Sequence, residues 1–339
     1  MGEGEQIMKA VLMTAIGGPE VLKVQDVPKP SFRRDTDILV RVRAAGLNPV
    51  DAKQRMRGTW YPSDPPQILG LDGAGIVEET GAAITEFKPG DEVLYAAGGM
   101  GKAPGNYAEY IVIDGRFAAR KPAPVSFQEA AALPCAAITA WESLFDHGAL
   151  QEGQCVLVHA GAGGVGHLAI QLAKARGVSV CTTVSTDDKA RFVEELGADR
   201  VIRYREEDFV QAVLDWTDGR GVNVVLDLVG GETFFRNFAC TAFYGTVVAT
   251  LRPDPSVADW TEARLRNLRI AWELMLSPMY YGLVDAQLHH RHILEQCVSM
   301  MEQGTLRVHV DRTFSLEEAA EAHRTLEQWH NTGKLVLTM

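Results

Sequence analysis

The period of apolar positions changes twice along the chain. Residues 8–45 alternate apolar and polar side chains in the two-residue rhythm of half-buried strands. Lys9–Met13 and Ile38–Ala44 are predicted strands, punctuated by Gly17-Gly18-Pro19 and Pro28-Lys29-Pro30. Ile76–Glu79, Glu92–Tyr95 and Asn106–Val112 predict further strands, with a turn at Lys88-Pro89-Gly90-Asp91 and Gly70, Gly73, Gly75 and Gly81 among them, as in tightly bent β structure. Hardly any helix is placed in this first third. From Ser126 the rhythm becomes helical. Ser126 and Glu129 form a capping box before a helix to Leu133, and Ala136–His147 predicts another. Strict alternation then follows: strand Cys155–Val158, helix 165–176, strand Ser179–Val184, helix 187–196, strand Arg200–Arg203, helix 206–216, strand Val222–Leu228, helix 231–239 and strand Gly245–Leu251. Such an order predicts an α/β domain with a doubly wound parallel sheet beside a β-rich domain. A helix over 286–303, a strand over Leu306–Val310, a helix over 316–329 and a last strand Lys334–Leu337 return to the mixed pattern of the beginning. The expected division is therefore 1–128 with 279–339, discontinuous, and 129–278.

Composition narrows the class. A chain of 339 residues with 46% hydrophobic and 23% charged side chains can bury a sizeable core and form two domains. Lys+Arg 33 against Asp+Glu 44 gives a net charge of −11, which argues against nucleic acid or anionic membranes as partners. Five scattered cysteines without a Cys-x-x-Cys pair read as reduced thiols, and no apolar run approaches the ~20 residues of a membrane span. A cytoplasmic protein is expected, with a short acidic extension before Met8 in place of a signal peptide.

The candidate chemistry starts at Gly161-Ala162-Gly163-Gly164-Val165-Gly166, between a predicted strand and a predicted helix. This is G-x-G-x-x-G in the context that gives it meaning: Gly161 for the tight turn, Gly163 for approach of a pyrophosphate, Gly166 for close packing of helix on strand. The helix N-terminus offers N–H groups and its dipole to the phosphates. A dinucleotide site follows. Preference for NAD would place an acidic residue at the end of the next strand, where Val184 stands. Ser185, Thr186 and Lys189 are instead able to hold a 2′-phosphate, so NADP (as NADPH) is expected. Asp187 and Asp188 oppose this unless they serve as helix-dipole partners facing water.

Beyond that loop, Ala45-Gly46-Leu47-Asn48-Pro49-Val50-Asp51, Leu69-Gly70-Leu71-Asp72-Gly73-Ala74-Gly75, Glu195-Leu196-Gly197-Ala198-Asp199 and Gly333-Lys334-Leu335-Val336-Leu337 occur in one order and spacing. Together they resemble the zinc-free quinone oxidoreductases of the medium-chain dehydrogenase/reductase superfamily, over nearly the whole chain. The resemblance implies a GroES-like β domain joined to a Rossmann domain, an active site in the cleft between them, and a homodimer or homotetramer. It also implies no catalytic metal. Zinc-binding members have Cys at the place of Asn48 and His-Glu at that of Leu71-Asp72, and neither Asn nor Leu is a usable zinc ligand. His289, His290 and His292 read as a solvated helix face.

Carried over residue by residue, the resemblance puts Asn48 and Thr139 at the nicotinamide, Gly161–Gly166 at the pyrophosphate, and Ser185, Lys189 and Tyr204 at the 2′-phosphate. Ala249 and Leu251 would flank the cofactor. The implied reaction is hydride delivery from NADPH to a quinone or an α,β-unsaturated carbonyl. Asn48, the nicotinamide ribose hydroxyl, bound water and Tyr61 are the candidates to meet the developing negative charge, with no general acid assigned, and Met100, Trp260, Trp272, Met279, Tyr280 and Tyr281 are candidates to line an apolar pocket. Two alternatives stand beside this: an alkenal or enoyl-thioester reductase, and a non-catalytic NADPH-binding structural or regulatory protein.

Overall fold

Sixteen strands and eleven α-helices follow one another along residues 6–63 and 66–339, the part of the chain that the computed structural model describes. The acidic extension expected at the N-terminus falls largely outside the described residues. In chain order the strands are β1 (Ile7–Met13), β2 (Leu22–Pro28), β3 (Asp37–Gly46), β4 (Gln67–Ile68), β5 (Asp72–Thr80), β6 (Glu92–Ala96), β7 (Tyr110–Asp114), β8 (Ala119–Arg120), β9 (Cys155–Val158), β10 (Ser179–Val184), β11 (Arg200–Arg203), β12 (Val222–Asp227), β13 (Thr241–Ala249), β14 (Arg269–Trp272), β15 (Val310–Ser315) and β16 (Lys334–Thr338). The helices are α1 (Pro49–Arg57), α2 (Phe127–Ala132), α3 (Pro134–Trp141), α4 (Gly166–Ala175), α5 (Asp187–Glu195), α6 (Phe209–Trp216), α7 (Gly231–Cys240), α8 (Thr261–Leu265), α9 (Ser277–Tyr281), α10 (Val284–Glu302) and α11 (Ala319–Glu327). They fall into two compact units. One comprises the described residues up to Cys135 with Leu276–Gly304 and Val308–Met339; the other comprises Ala136–Met275 with Thr305–Arg307.

The first unit is β-rich, as a GroES-like domain is. Its larger sheet runs β15-β16-β3-β5-β6-β8, with β7 also paired to β3, and a smaller sheet runs β2-β1-β4. Inward residues of alternating strands, Val40, Val77, Val93, Ile111 and Ile113, form one buried cluster. Ala45, Leu47, Leu335 and Leu337 form another, closed by Ala319, Ala322 and Leu326 of α11. Helix α2 lies against β3 and β5 of this unit, so the division comes at Cys135 and Ala136 and not at 128 and 129.

The second unit is a six-stranded parallel sheet in the order β11-β10-β9-β12-β13-β14. The order reverses between β9 and β12, the switch point beyond whose carboxyl ends such sheets bind ligands. Leu157, Cys181, Val225 and Val247 of the sheet pack with Phe209, Val213, Phe234 and Phe238 of the helices. Burial on both faces explains the continuous apolar runs in these strands.

Four expectations are corrected. Pro49–Arg57 is a helix, begun by Asn48 in extended conformation with Pro49 at the first helical position, where a fixed φ and a missing N–H do no harm. Leu306–His309 form no strand. The Gln171 side chain takes both backbone groups of Arg307, accepting from its N–H at 2.8 Å and donating to its carbonyl at 2.9 Å, and the ladder starts only at Val310. Asn106–Ala108 precede the regular strand β7, because their backbone bonds go to other segments: the Asn106 and Tyr107 N–H groups donate to the Gly70 and Leu69 carbonyls, and the Tyr107 carbonyl accepts from the Val11 N–H. Strand β13 starts at Thr241 and ends at Ala249, so Leu251 lies beyond it. In addition, the helix expected over 136–147 widens into a π-helical turn from Glu142 to His147.

Candidate functional site

Because all six strands of the second unit are parallel, their carboxyl ends share one edge of the sheet. That edge carries the glycine loop after β9, Ser185 and Thr186 after β10, Tyr204 after β11, Ala249 at the end of β13 and Leu251 just beyond it. The loop is held by its neighbour strand: the Gly161 N–H donates to the Thr183 carbonyl at 3.1 Å, and the Ala160 N–H to Thr183 Oγ1 at 3.1 Å.

The three motif glycines differ in surroundings. A Cβ at Gly161 would lie 1.9 Å from Thr182 Oγ1, and one at Gly166 would lie 2.4 Å from the Ala160 carbonyl oxygen and 2.7 Å from Gly161 Cα. At Gly163 it would meet only the Ala160 carbonyl oxygen, at 3.2 Å. Gly161 is thus required by packing against β10, and Gly166 by the approach of α4 to the loop. The turn itself is made by Ala160, which is the loop residue with positive φ, at 52°. Gly163, Gly164 and Val165 are half-buried, whereas Ala162 and Gly166 are buried. No side chain caps α4 at Val165. An open cradle of small residues under an uncapped helix N-terminus is a fit for a pyrophosphate.

At the end of β10 the Tyr204 N–H donates to the Val184 carbonyl at 3.2 Å, which brings Tyr204 beside Ser185 and Thr186. Thr186 caps α5, its Oγ1 accepting from the Lys189 N–H at 3.3 Å. The two nearby carboxylates are engaged: Asp187 pairs with Arg203, and Asp188 with Arg191. Arg203 also holds Glu206 at 2.7 Å. Arg205, which the sequence reading passed over, is exposed with its guanidinium 6.0 Å from the Tyr204 ring. A basic residue beside the tyrosine was the available signal.

Further along the same edge, a buried chain ties three strands together. His159 Nδ1 lies 3.1 Å from Thr183 Oγ1, and its Nε2 lies 2.8 Å from Asn237 Oδ1. Asn237 Nδ2 donates to Asp227 Oδ2 at 3.2 Å. The other Asp227 oxygen accepts from the N–H groups of Val229 and Gly230 at 2.8 Å each. Burial holds His159 below the usual histidine range, so it is neutral here. Thr139 is buried on α3. Trp260 and Trp272, expected in a pocket lining, pack on Phe234, with ring centroids 5.9 and 5.8 Å away.

In the first unit the polar residues form a second cluster. Asn48 Nδ2 donates to Asp72 Oδ2 at 2.9 Å, the Cys135 N–H donates to Asp72 Oδ1 at 2.9 Å, and the Asn48 N–H donates to Asp51 Oδ2 at 2.9 Å. Lys334 Nζ donates to Asn48 Oδ1 and lies 3.5 Å from Asp72 Oδ2. The side chains of Asn48, Asp51, Asp72 and Lys334 are all buried. Burial pushes the Asp72 carboxyl above the usual range, with the Lys334 ammonium and the Asn48 and Cys135 donors opposing it. Asp51 is pushed up to about 7, first by burial and further by the Asp72 charge, against the pull of the Asn48 N–H and Lys334. In the sequence Asp72 and Lys334 stand out only as parts of motifs. The signal missed is a lysine opening a strand that is otherwise Leu-Val-Leu, where a charge must find a partner.

Tyr61 does not join this cluster. Its hydroxyl donates to the carbonyls of Met279, at 3.2 Å, and Tyr280, and its ring stacks on Tyr280 with centroids 4.9 Å apart. The proton expected to serve chemistry is thus engaged with the backbone of α9. Met100 holds the same loop, its carbonyl accepting from the Tyr61 N–H at 2.8 Å.

Comparison with known proteins places this geometry. An alcohol dehydrogenase GroES-like domain model matches residues 34–123, and a zinc-binding dehydrogenase model matches residues 196–337. A quinone oxidoreductase of Pseudomonas aeruginosa is 34% identical over 97% of this chain and 99% of its own. The crystal structure of Escherichia coli quinone oxidoreductase complexed with NADPH superposes with a TM-score of 0.86 at 30% identity, covering 98% of this chain and 100% of that one. An NAD-dependent alcohol dehydrogenase superposes with a TM-score of 0.88 at 33% identity, covering 98% and 100%. The chain belongs to the zinc-independent quinone oxidoreductase branch of the medium-chain dehydrogenase/reductase superfamily, and is an oxidoreductase with a Rossmann and a GroES-like domain.

Proposed function

We propose that the protein is an NADPH-dependent, zinc-independent reductase of quinones or α,β-unsaturated carbonyls. The observation that carries the cofactor choice is the end of β10. Val184 leaves no carboxylate at the ribose position, Ser185, Thr186, Lys189 and Tyr204 gather there, and Asp187 and Asp188 are paired with arginines. Kinship alone does not decide it, since both an NADPH complex and an NAD-dependent enzyme share the fold. When bound, the nicotinamide supplies the hydride. The chain's own part is to bind and orient. Gly161–Gly166 hold the pyrophosphate on the helix N-terminus; Asn48 and Thr139 contact the nicotinamide; Ala249 and Leu251 flank it. Asn48 offers a hydrogen-bond donor where negative charge develops. Tyr61 serves as a wall and a tether of its loop, and we assign it no proton transfer.

Titration of the protein with NADPH and NADH, followed by oxidation assays over quinones, enals and enones, tests this. NADPH is expected to bind at least about tenfold more tightly. Lys189→Ala should erode that preference roughly tenfold by weakening NADPH alone, as loss of a charge-assisted bond does. Comparable use of both cofactors by the unaltered protein would sink the assignment.

We also propose a homodimer. Strand β14 is an edge of the parallel sheet, and Phe243, Tyr244 and Trp272 of β13 and β14 are exposed beside it. Light scattering should give twice the 37.0 kDa of one chain; a monomer at micromolar concentration would refute it.

A further inference from the structure

The Asn48 amide has two orientations of equal shape, and only its partners decide which is adopted. In the first unit those partners are fixed. The Lys334 ammonium donates to Oδ1, and Nδ2 donates to Asp72 Oδ2 at 2.9 Å. Among the described residues Asp72 is the one hydrogen-bond partner of Nδ2, which carries two hydrogens. Lys334 is 4% exposed and Asp72 is fully buried. An ammonium is taken from water at a cost of several kcal/mol unless it is well paired. Its pairing with the Asp72 carboxylate, Nζ to Oδ2 at 3.5 Å, offsets part of that cost, and its bond to Asn48 Oδ1 ties the amide to the same buried pair.

We infer that Lys334 is a positioning residue that makes Asn48 a hydrogen-bond donor. The ammonium occupies the amide oxygen, Asp72 takes one N–H, and the other N–H remains for the reacting carbonyl or the nicotinamide. A lysine is suited to this because it has donors only and cannot accept from Asn48. Without it, a protonated Asp72 would donate to Oδ1 and turn the amide around. The carboxyl already leans toward the protonated form through burial, with Lys334 the first of the groups opposing it. The inference rests on the reading of Asn48 as a nicotinamide-side contact.

The test is a cycle of Lys334→Met, Asn48→Ala and the double variant, each first checked for folding by circular dichroism. Two quantities are read: kcat for quinone reduction, and the emission of protein-bound NADPH at saturation. Each single change is expected to lower kcat by about a hundredfold, the lower end of the range seen for one lost donor. KM and Kd for NADPH should stay within about threefold, since a donor felt mainly in the transition state leaves binding nearly unchanged. The double variant should be no worse than the poorer single one, and the emission change should likewise not add. Losses that multiply in the double variant would overturn the inference, as would full activity of Lys334→Met beside an impaired Asn48→Ala. If Asn48→Ala itself keeps full kcat with normal NADPH binding, the role given to Asn48 fails instead. Should Lys334→Met not fold, Lys334→Gln carries the same cycle: its amide can flip to accept and so holds Asn48 less firmly. Equality with the unaltered protein in kcat and emission would overturn the inference there too.

Discussion

Alanine in place of Gly166 lowers the unfolding temperature by several degrees, whereas alanine in place of Gly163 leaves it unchanged and weakens the binding of NADPH. The two positions lie three residues apart in one motif, but they do different things. In Gly166→Ala the new Cβ would stand 2.4 Å from the Ala160 carbonyl oxygen and 2.7 Å from Gly161 Cα, which are backbone atoms. They cannot rotate away, so α4 must lift from the loop. Overpacking of this kind costs about 1–3 kcal/mol, or roughly 3–10 °C in a unit of this size. Gly161→Ala belongs with it. Its Cβ would meet Thr182 Oγ1, which donates to the Val158 carbonyl at 2.7 Å and would lose that buried bond by turning aside. At Gly163 the near atom is the Ala160 carbonyl oxygen, 3.2 Å away, a contact that a shift of a few tenths of an ångström relieves. Its effect on stability should stay within about 0.5 kcal/mol, and NADPH affinity should fall by roughly tenfold or more, since the phosphates approach the backbone there. Scanning calorimetry with and without NADPH separates the two effects. A Gly163→Ala protein that melts and binds like the original would show that the pyrophosphate lies elsewhere.

How far the sequence is legible follows from the same contrast. The parallel sheet reads well because strands buried on both faces have little freedom in composition, and Val-Val-Leu or Val-Leu-Val runs between helical periods have few other meanings. The glycine motif reads well for location and less well for cause. Which residue makes the turn depends on φ, and Ala160 takes the left-handed conformation that a glycine would be expected to hold. The β-rich unit reads poorly where other partners replace the ladder. Gln171 takes both backbone groups of Arg307, and the backbone of Asn106 and Tyr107 bonds Gly70 and Leu69, so alternation over 306–310 and 106–112 predicts longer strands than these partners allow. Helix α1 hides because its opening Asn-Pro resembles a turn until the capping position is seen. The second cluster was half legible. Asn48 stands out by its motif, but Lys334 lies 286 positions further along, and only folding brings β16 beside β3.

The buried acid next to Asn48 gives the second large effect: as pH rises from about 4 to 7 Asp51 withdraws its own share of the stability, and Asp51→Asn removes that loss. Asp51 is fully buried, with Asp72 adding its repulsion, and its carboxyl is held at about 7 against 3.8 for a free one. Between those values the unfolded chain has released the proton while the folded chain retains it. At this group the unfolded state then binds fewer protons, so the Asp51 contribution to stability falls with rising pH across this window and is level above it. Three pKa units amount to about 4 kcal/mol at most. Asparagine keeps an oxygen for the Asn48 N–H and never ionises, so the variant should match the original near pH 4 and exceed it increasingly toward pH 8. Other buried groups titrate as well. Glu273 is held at about 7, and His323, beside Arg55, is pushed down to about 3 by burial, which gives the opposite slope below pH 6.5. Both are present in either protein and cancel in the difference. Melting temperatures measured in parallel from pH 4.5 to 8 should therefore diverge by up to roughly 10 °C. A constant offset would mean that Asp51 is ionised throughout, with Lys334 and the Asn48 N–H outweighing the burial that surrounds it.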